Sequence, residues 1–265
     1  RDFLTTQMKS VGEVMSIGRT FKESLQKAVH SLEMGSEGFP VLESNTQLVS
    51  EPSSRRIFYL YQALRDGVEV GELQALTQIS PWFLEQLKEL ADFEQTLKTQ
   101  SLTTDLLWQA KRWGFSDNTI ARLSGWTQEQ VMQQRKDKGI TPVLFQVDTC
   151  AGEFASETPY FYSTYWHDSA LNSPVSSLSL PQKRKIVVLG SGPNRIGQGI
   201  EFDYSCVRSV RRLRKAGFHV VMVNSNPETV STDYDTSHEL YFEPLTAEYV
   251  NEILQQVQPE GVICQ

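Results

Sequence analysis

The feature that most constrains this chain is an internal repeat. Leu60-Tyr-Gln-Ala-Leu-Arg-Asp-Gly67 returns 47 residues later as Leu107-Trp-Gln-Ala-Lys-Arg-Trp-Gly114. Leu73-Gln-Ala-Leu-Thr-Gln-Ile-Ser80 returns as Ile120-Ala-Arg-Leu-Ser-Gly-Trp-Thr127, and Leu84 aligns with Val131. The register holds without a gap over roughly 25 positions, which predicts two copies of one helical unit packed through their apolar faces. Start and stop signals place the helices at 54–66 (stopped by Gly67), 69–77, 81–98 (Ser80 cap, Pro81 in the first turn), 103–113 (stopped by Gly114), 117–124 and 128–138 (Thr127 cap, Gly139 stop). Ahead of them, Thr20 and Glu23 have capping-box spacing, and Phe21, Leu25, Ala28, Val29 and Leu32 fall on one face of a helix that Gly35 ends. Residues 35–53 have no period and read as a linker.

From Lys185 the pattern changes to strand–helix alternation. Ile186–Leu189 is a buried-type strand, a glycine-rich turn follows, and a helix runs from about 202 to 216. Phe218–Val223, Tyr241–Phe242 and Val262–Cys264 are further strands, with a helix at Ala247–Val257. Such units predict a parallel sheet with helices on its faces. Between the two regions, Pro142–Asp148 is a candidate short strand, Pro159–Trp166 is aromatic-rich, and Asn172–Pro181 reads as a linker.

Composition narrows the function classes. A net charge of −7 disfavours a general binder of nucleic acid or anionic membrane. The apolar runs are too short to span a bilayer, and no signal peptide is visible. Cys150, Cys206 and Cys264 lie far apart, which excludes a zinc framework and predicts reduced thiols, fitting a cytoplasmic compartment (mitochondrial for a eukaryotic parent). His30, His167, His219 and His238 are scattered and read as surface or structural. Trp82, Trp108, Trp113 and Trp126 read as packing residues. The chain begins at Arg1 and stops on Gly261-Val-Ile-Cys-Gln265, a strand just starting, so a piece of a longer protein is expected.

Two loops could carry chemistry. The turn Gly190-Ser-Gly192-Pro-Asn-Arg-Ile-Gly197-Gln-Gly199 sits where phosphates and dinucleotides often bind. Yet Arg195 stands where a dinucleotide loop wants glycine, the second strand ends in Asn224 rather than Asp or Glu, and no Gly-Lys-Ser/Thr occurs. The second loop, Asn224-Ser-Asn-Pro-Glu-Thr-Val-Ser-Thr-Asp-Tyr-Asp-Thr236, leaves the carboxyl edge of the sheet and is dense in polar groups. A rival reading comes from the helices: Asp117–Arg135 has the outline of a helix-turn-helix, with Ala121 and Gly125 at the turn spacing. Its second helix nets only one positive charge, Arg135, Lys136 and Lys138 against Glu129 and Asp137.

Longer runs make a resemblance specific. Val188–Tyr204, Met222–Thr236 and Leu240–Thr246 resemble the start of a carbamoyl-phosphate synthetase half; Thr6–Arg19 resembles the tail of the preceding half; Asp148–Glu153 and Glu157–Tyr160 resemble the exit from that family's helical oligomerisation domain. The order matches along nearly the whole chain, apart from a variable linker at 168–184. The resemblance implies an all-helical oligomerisation domain followed by an incomplete parallel-sheet α/β (pre-ATP-grasp) domain. It divides the chain at 1–34, 35–53, 54–167, 168–184 and 185–265. It implies a parent ligase that makes carbamoyl phosphate from bicarbonate, glutamine-derived ammonia and two ATP, with Mg or Mn, beside a glutaminase partner and in a homo-oligomer. Its ATP-grasp regions lie outside these residues, so no catalytic residue is expected here. By the same resemblance Met8, Glu13, Arg195, Gly199, Glu201 and Glu228 line a carbamate tunnel, with Gly190, Gly192, Gly197 and Gly199 shaping its glycine loop.

Overall fold

A computed structural model describes residues 5–7, 9–10, 12–35, 37–166, 184–199 and 201–264. The chain forms two compact units. One takes Thr20–Lys22 and Met34–Gly139; the other takes Gly12–Arg19, Glu23–Glu33 and Ile140–Gln265.

Helix α1 spans Phe21–Ser31. In the first unit follow α2 (Thr46–Ser50), α3 (Arg56–Arg65), α4 (Val70–Thr77), α5 (Pro81–Thr99), α6 (Thr104–Arg112), α7 (Asp117–Ser124) and α8 (Gln128–Asp137). The boundaries follow from caps. The Thr127 hydroxyl accepts the Gln130 backbone N–H while the Gln130 side chain accepts that of Thr127, a complete capping box. The Ser116 and Thr103 hydroxyls cap α7 and α6 by accepting the Thr119 and Leu106 backbone N–H groups. Helix α2, capped by Asn45, lies in the stretch read from sequence as linker. Leu60, Leu73, Leu84, Leu90, Leu107, Ile120 and Val131 form the core, each at most 2% exposed. Trp82 and Trp126 correct the packing expectation: they are 51% and 37% exposed, and Trp82 meets Phe21 and Phe83 edge-on.

The helix-turn-helix outline is present as α7 and α8 around Gly125, but its one net positive charge is spent inside the unit. Arg135 is 1% exposed, with its guanidinium on the Asp117 carboxylate at 3.1 Å, and Lys111 reaches the same carboxylate at 3.0 Å. Burial alone would raise the Asp117 pKa; the two cations bring it below the usual range. With Arg135 consumed inside, the exposed charges of α8 cancel, Lys136 and Lys138 against Glu129 and Asp137.

The second unit holds one six-stranded sheet and a two-residue ladder. Its strands are β1 (Gly12–Glu13), β2 (Val143–Gln146), β3 (Tyr160–Thr164), β4 (Lys185–Leu189), β5 (Asn194–Arg195), β6 (His219–Asn224), β7 (Glu239–Phe242) and β8 (Gly261–Ile263), with helices α9 (Glu201–Lys215) and α10 (Ala247–Val257). The sheet order is β2-β3-β7-β6-β4-β8, parallel except for β2 against β3. Alternation along β6 serves both faces. Val221 and Val223 pack with Ile253 and Val257 of α10, while Val220 and Met222 pack with Cys206 and Val210 of α9. The sequence reading ran the helical domain to 167. Here the helical unit ends at Gly139, and β2 and β3 extend the sheet of the second unit, Tyr160 pairing with Leu240 and Phe161 with Tyr241.

Helix α1 corrects another expectation. Glu23, Gln26, Lys27, His30 and Ser31 are buried, whereas Leu25 and Ala28 of the expected apolar face are only half-buried. The reason is a satisfied ionic contact. Lys27 Nζ donates to Glu243 Oε1 at 2.9 Å and to the Ser163 carbonyl at 2.6 Å. Glu23 Oε2 accepts the Arg19 backbone N–H at 2.7 Å.

Candidate functional site

The site lies at the carboxyl ends of β4 and β6, the edge where open α/β sheets bind ligands. Asn224, the last residue of β6 and wholly buried, organises it. Its Oδ1 accepts backbone N–H groups from Gly192 (3.2 Å) and Ser225 (2.8 Å), and its Nδ2 donates to Ser231 Oγ at 3.1 Å. One side chain thus ties the glycine loop to the polar loop. A dinucleotide enzyme uses this position to hold a ribose; here every polar atom of the amide is consumed internally. Gly190 makes the arrangement possible, since a Cβ there would lie 2.6 Å from Asn224 Nδ2.

Ser231, in a 3₁₀ turn at Val230–Thr232, carries the link onward. Its backbone N–H donates to Asp203 Oδ2 at 2.8 Å. Asp203 and Glu201 sit in the first turn of α9, where the helix dipole favours carboxylates. Between the two loops opens a cleft of ≈ 570 Å³, lined among others by Gly199, Phe202, Asp203, Asn226, Glu228 and Asp233. Among the described residues that line it, none is Lys, Arg or His. Carboxylates on this wall disfavour an anion by like-charge repulsion. Among the described residues no group of three or more His, Cys, Asp or Glu is placed to hold a metal ion.

The expected tunnel residues divide as follows. Gly199 and Glu228 line the cleft. Glu201 stands beside it; a Cβ on Gly199 would come within 2.7 Å of the Glu201 carboxyl carbon. Glu13 and Arg195 lie on the β1–β5 ladder, with Gly12 opposite Arg195 and Glu13 opposite Asn194. Asn194 Nδ2 reaches Glu13 Oε1 at 3.4 Å, and Arg195 pairs with Glu33. Met8 lies outside the described residues, as does His167. Of the loop glycines, Gly192 and Gly197 take the left-handed backbone that favours glycine. Sequence reasoning missed Asp203, Asn226 and Ser231. Asp203 reads from sequence as an ordinary acid at a helix start, and only the fold turns it toward the loop after β6.

The second unit is thus an open, mostly parallel α/β sheet with its polar loops at the carboxyl edge, and the first is a set of short capped helices. Comparisons with known proteins give both a family. Residues 13–139 match the family described as carbamoyl-phosphate synthetase large chain, oligomerisation domain, and residues 182–265 match the carbamoyl phosphate synthase preATP-grasp domain. Carbamoyl phosphate synthase large chains are similar throughout: that of Rhodopirellula baltica is 48% identical over 99% of this chain, that of Thermotoga sp. 49% over 98%, and that of Pseudomonas aeruginosa 49% over 99%. The chain belongs to the carbamoyl-phosphate synthase large-chain family. It spans 25%, 23% and 25% of those relatives' lengths.

Proposed function

We propose that this chain supplies an oligomerisation surface and part of a carbamate passage to a carbamoyl-phosphate synthase, a carbon–nitrogen ligase of the arginine and pyrimidine pathways. The observation that carries the reading is the acid-lined cleft at the sheet edge, with Gly199 and Glu228 on its wall and Glu201 beside it. Like-charge repulsion from those carboxylates disfavours a carbamate anion, so the neutral acid is the species that travels. Glu13 is tied to the glycine loop through the β1–β5 ladder, where it faces Asn194, and Arg195 within the loop pairs with Glu33. Bicarbonate, glutaminase-derived ammonia and ATP with Mg or Mn belong to parts of the parent beyond these residues, and the 265-residue chain does not turn over by itself. Calorimetry with ATP tests this: no tight binding is expected, and tight binding contradicts it. In the complete synthase, Glu201→Lys or Glu228→Ala uncouples ATP hydrolysis from carbamoyl phosphate yield; unchanged coupling removes the passage assignment.

The domain limits expected from sequence (1–34, 35–53, 54–167, 168–184 and 185–265) belong to this proposal as limits of the parent's segments, with β2 and β3 of the third segment packing in the second compact unit. The helical repeat belongs to the same proposal. The starts of α4 and α7 (Val70, Asp117), their ends (Thr77, Ser124) and the starts of α5 and α8 (Pro81, Gln128) all share the offset between Leu60 and Leu107. Gln78 and Gly125, at the same offset, both end their helices in left-handed backbone. Oligomerisation is supported by an apolar edge on the helical unit, where Leu76, Trp82 and Phe83 are 41%, 51% and 44% exposed.

A further inference from the structure

We propose that Glu33 is a positioning residue: from beyond the carboxyl end of α1, its carboxylate holds the glycine loop in place at Gly192 and Arg195. This role rests on the passage reading for what the loop does, and on the structure for the contacts.

Glu33 stands just past Ser31, the last residue of α1, with its backbone N–H on the His30 carbonyl at 3.4 Å. Two local rules count against an acid there. Its backbone is left-handed, with φ 51°, a conformation that glycine takes without strain and a residue with a Cβ does not. The negative end of the helix dipole also disfavours a carboxylate. Local costs that coincide at one position mark a residue whose side chain has a task elsewhere in the fold.

The contacts of the side chain supply that task. Oε2 pairs with the Arg195 guanidinium. Oε1 lies against Gly192, where an added Cβ would come within 2.5 Å of it. One carboxylate thus bridges the two ends of the turn Gly192-Pro-Asn-Arg195. Gly192 is held through its N–H by Asn224, and Arg195 faces Gly12 across the β1–β5 ladder. Asn194, inside the turn, lines the cleft, while Glu33 and Arg195 are not among the described residues that line it. Glu33 therefore acts on the cleft through the loop and touches nothing that passes. The pair is 43% and 36% exposed, and an exposed ion pair contributes little to global stability. Its effect falls on the placement of a short loop.

The test uses the complete synthase carrying Glu33→Gly. Glycine removes the carboxylate and accepts the left-handed backbone, so the fold is kept while the hold on the loop is lost. Hydrogen exchange of the peptide covering 190–199 is read by mass spectrometry, beside the carbamoyl phosphate formed per ATP hydrolysed. Exchange in that peptide is expected to quicken about two- to fivefold, the span of an exposed charge pair. The peptide covering β6 exchanges as before, which shows that the variant is folded, and the yield per ATP falls. Unchanged exchange at 190–199 overturns the proposal. So does faster exchange at normal yield in a synthase that Glu201→Lys uncouples. Normal coupling in the Glu201 and Glu228 variants removes the passage reading instead, and the exchange measurement then decides by itself whether Glu33 holds the loop.

Discussion

The Gly192 backbone N–H donates to the side-chain oxygen of Asn224 at 3.2 Å, so that the last residue of one strand closes the glycine loop that follows another. Asn224→Ala removes this acceptor, strips Ser225 N–H of its partner, and deletes the donor to Ser231. Each orphaned buried group costs roughly 1–3 kcal/mol, not additively. The expected result is a local loss: amide exchange at Gly192, Ser225 and Ser231 accelerates at least tenfold, while Val187 and Val221 stay protected. Uniform protection across the loop would mean that the amide is not the hub.

Lys27 and Glu243 form a pair in which both side chains are at most 2% exposed. Removing one member leaves the other charge buried, at a cost of about 3–5 kcal/mol. Lys27→Met should therefore lower the urea midpoint sharply. Lys27→Met with Glu243→Gln should recover part of the loss.

Glu23 lies beside this pair, and burial raises its pKa above the ordinary 4.5, more than Lys27 and its hydrogen bonds lower it. The sign follows from linkage. The folded state holds this proton more tightly, so the contribution to stability is complete below pH 4.5 and is lost as pH rises through the folded-state value. Glu23→Gln, which cannot ionise, should gain stability relative to the unaltered chain as pH climbs from 4.5 to 7. A gap that does not change with pH would contradict the assignment.

The thiols should separate by reactivity. Cys206 is 1% exposed, and burial, helped by the Asp203 charge, pushes its pKa up to about 11. Cys264 is exposed. Since the thiolate is the reactive form, iodoacetamide at pH 8 should label Cys264 and spare Cys206 in the folded chain, as read by peptide mass spectrometry. Equal labelling would show that the face between β6 and α9 is open.

Much of the fold was legible because its signals are local. Thr127 starts α8, and the glycines at 67, 114 and 139 stop helices where expected. The buried strands β4 and β6 were readable as apolar runs. What escaped was non-local. The polar face of α1 is buried because Glu243, far along the chain, supplies a partner for Lys27. The strands β2 and β3 join the second unit because Tyr160 and Phe161 pair with β7, which no pattern between 140 and 166 reveals. At the site, the glycine loop and the polar loop announced themselves by composition. Asp203 did not, because its role depends on a backbone N–H in the loop after β6.

The central claim is that a passage runs past Gly199. A Cβ there already crowds the Glu201 carboxyl carbon at 2.7 Å, so a leucine at this position would fill the mouth of the cleft. The decisive measurement is the ratio of ATP hydrolysed to carbamoyl phosphate formed by the complete synthase carrying Gly199→Leu. The account predicts that bicarbonate-dependent ATP hydrolysis continues while the carbamoyl phosphate yield per ATP falls. An unchanged ratio, with normal yield, would contradict it.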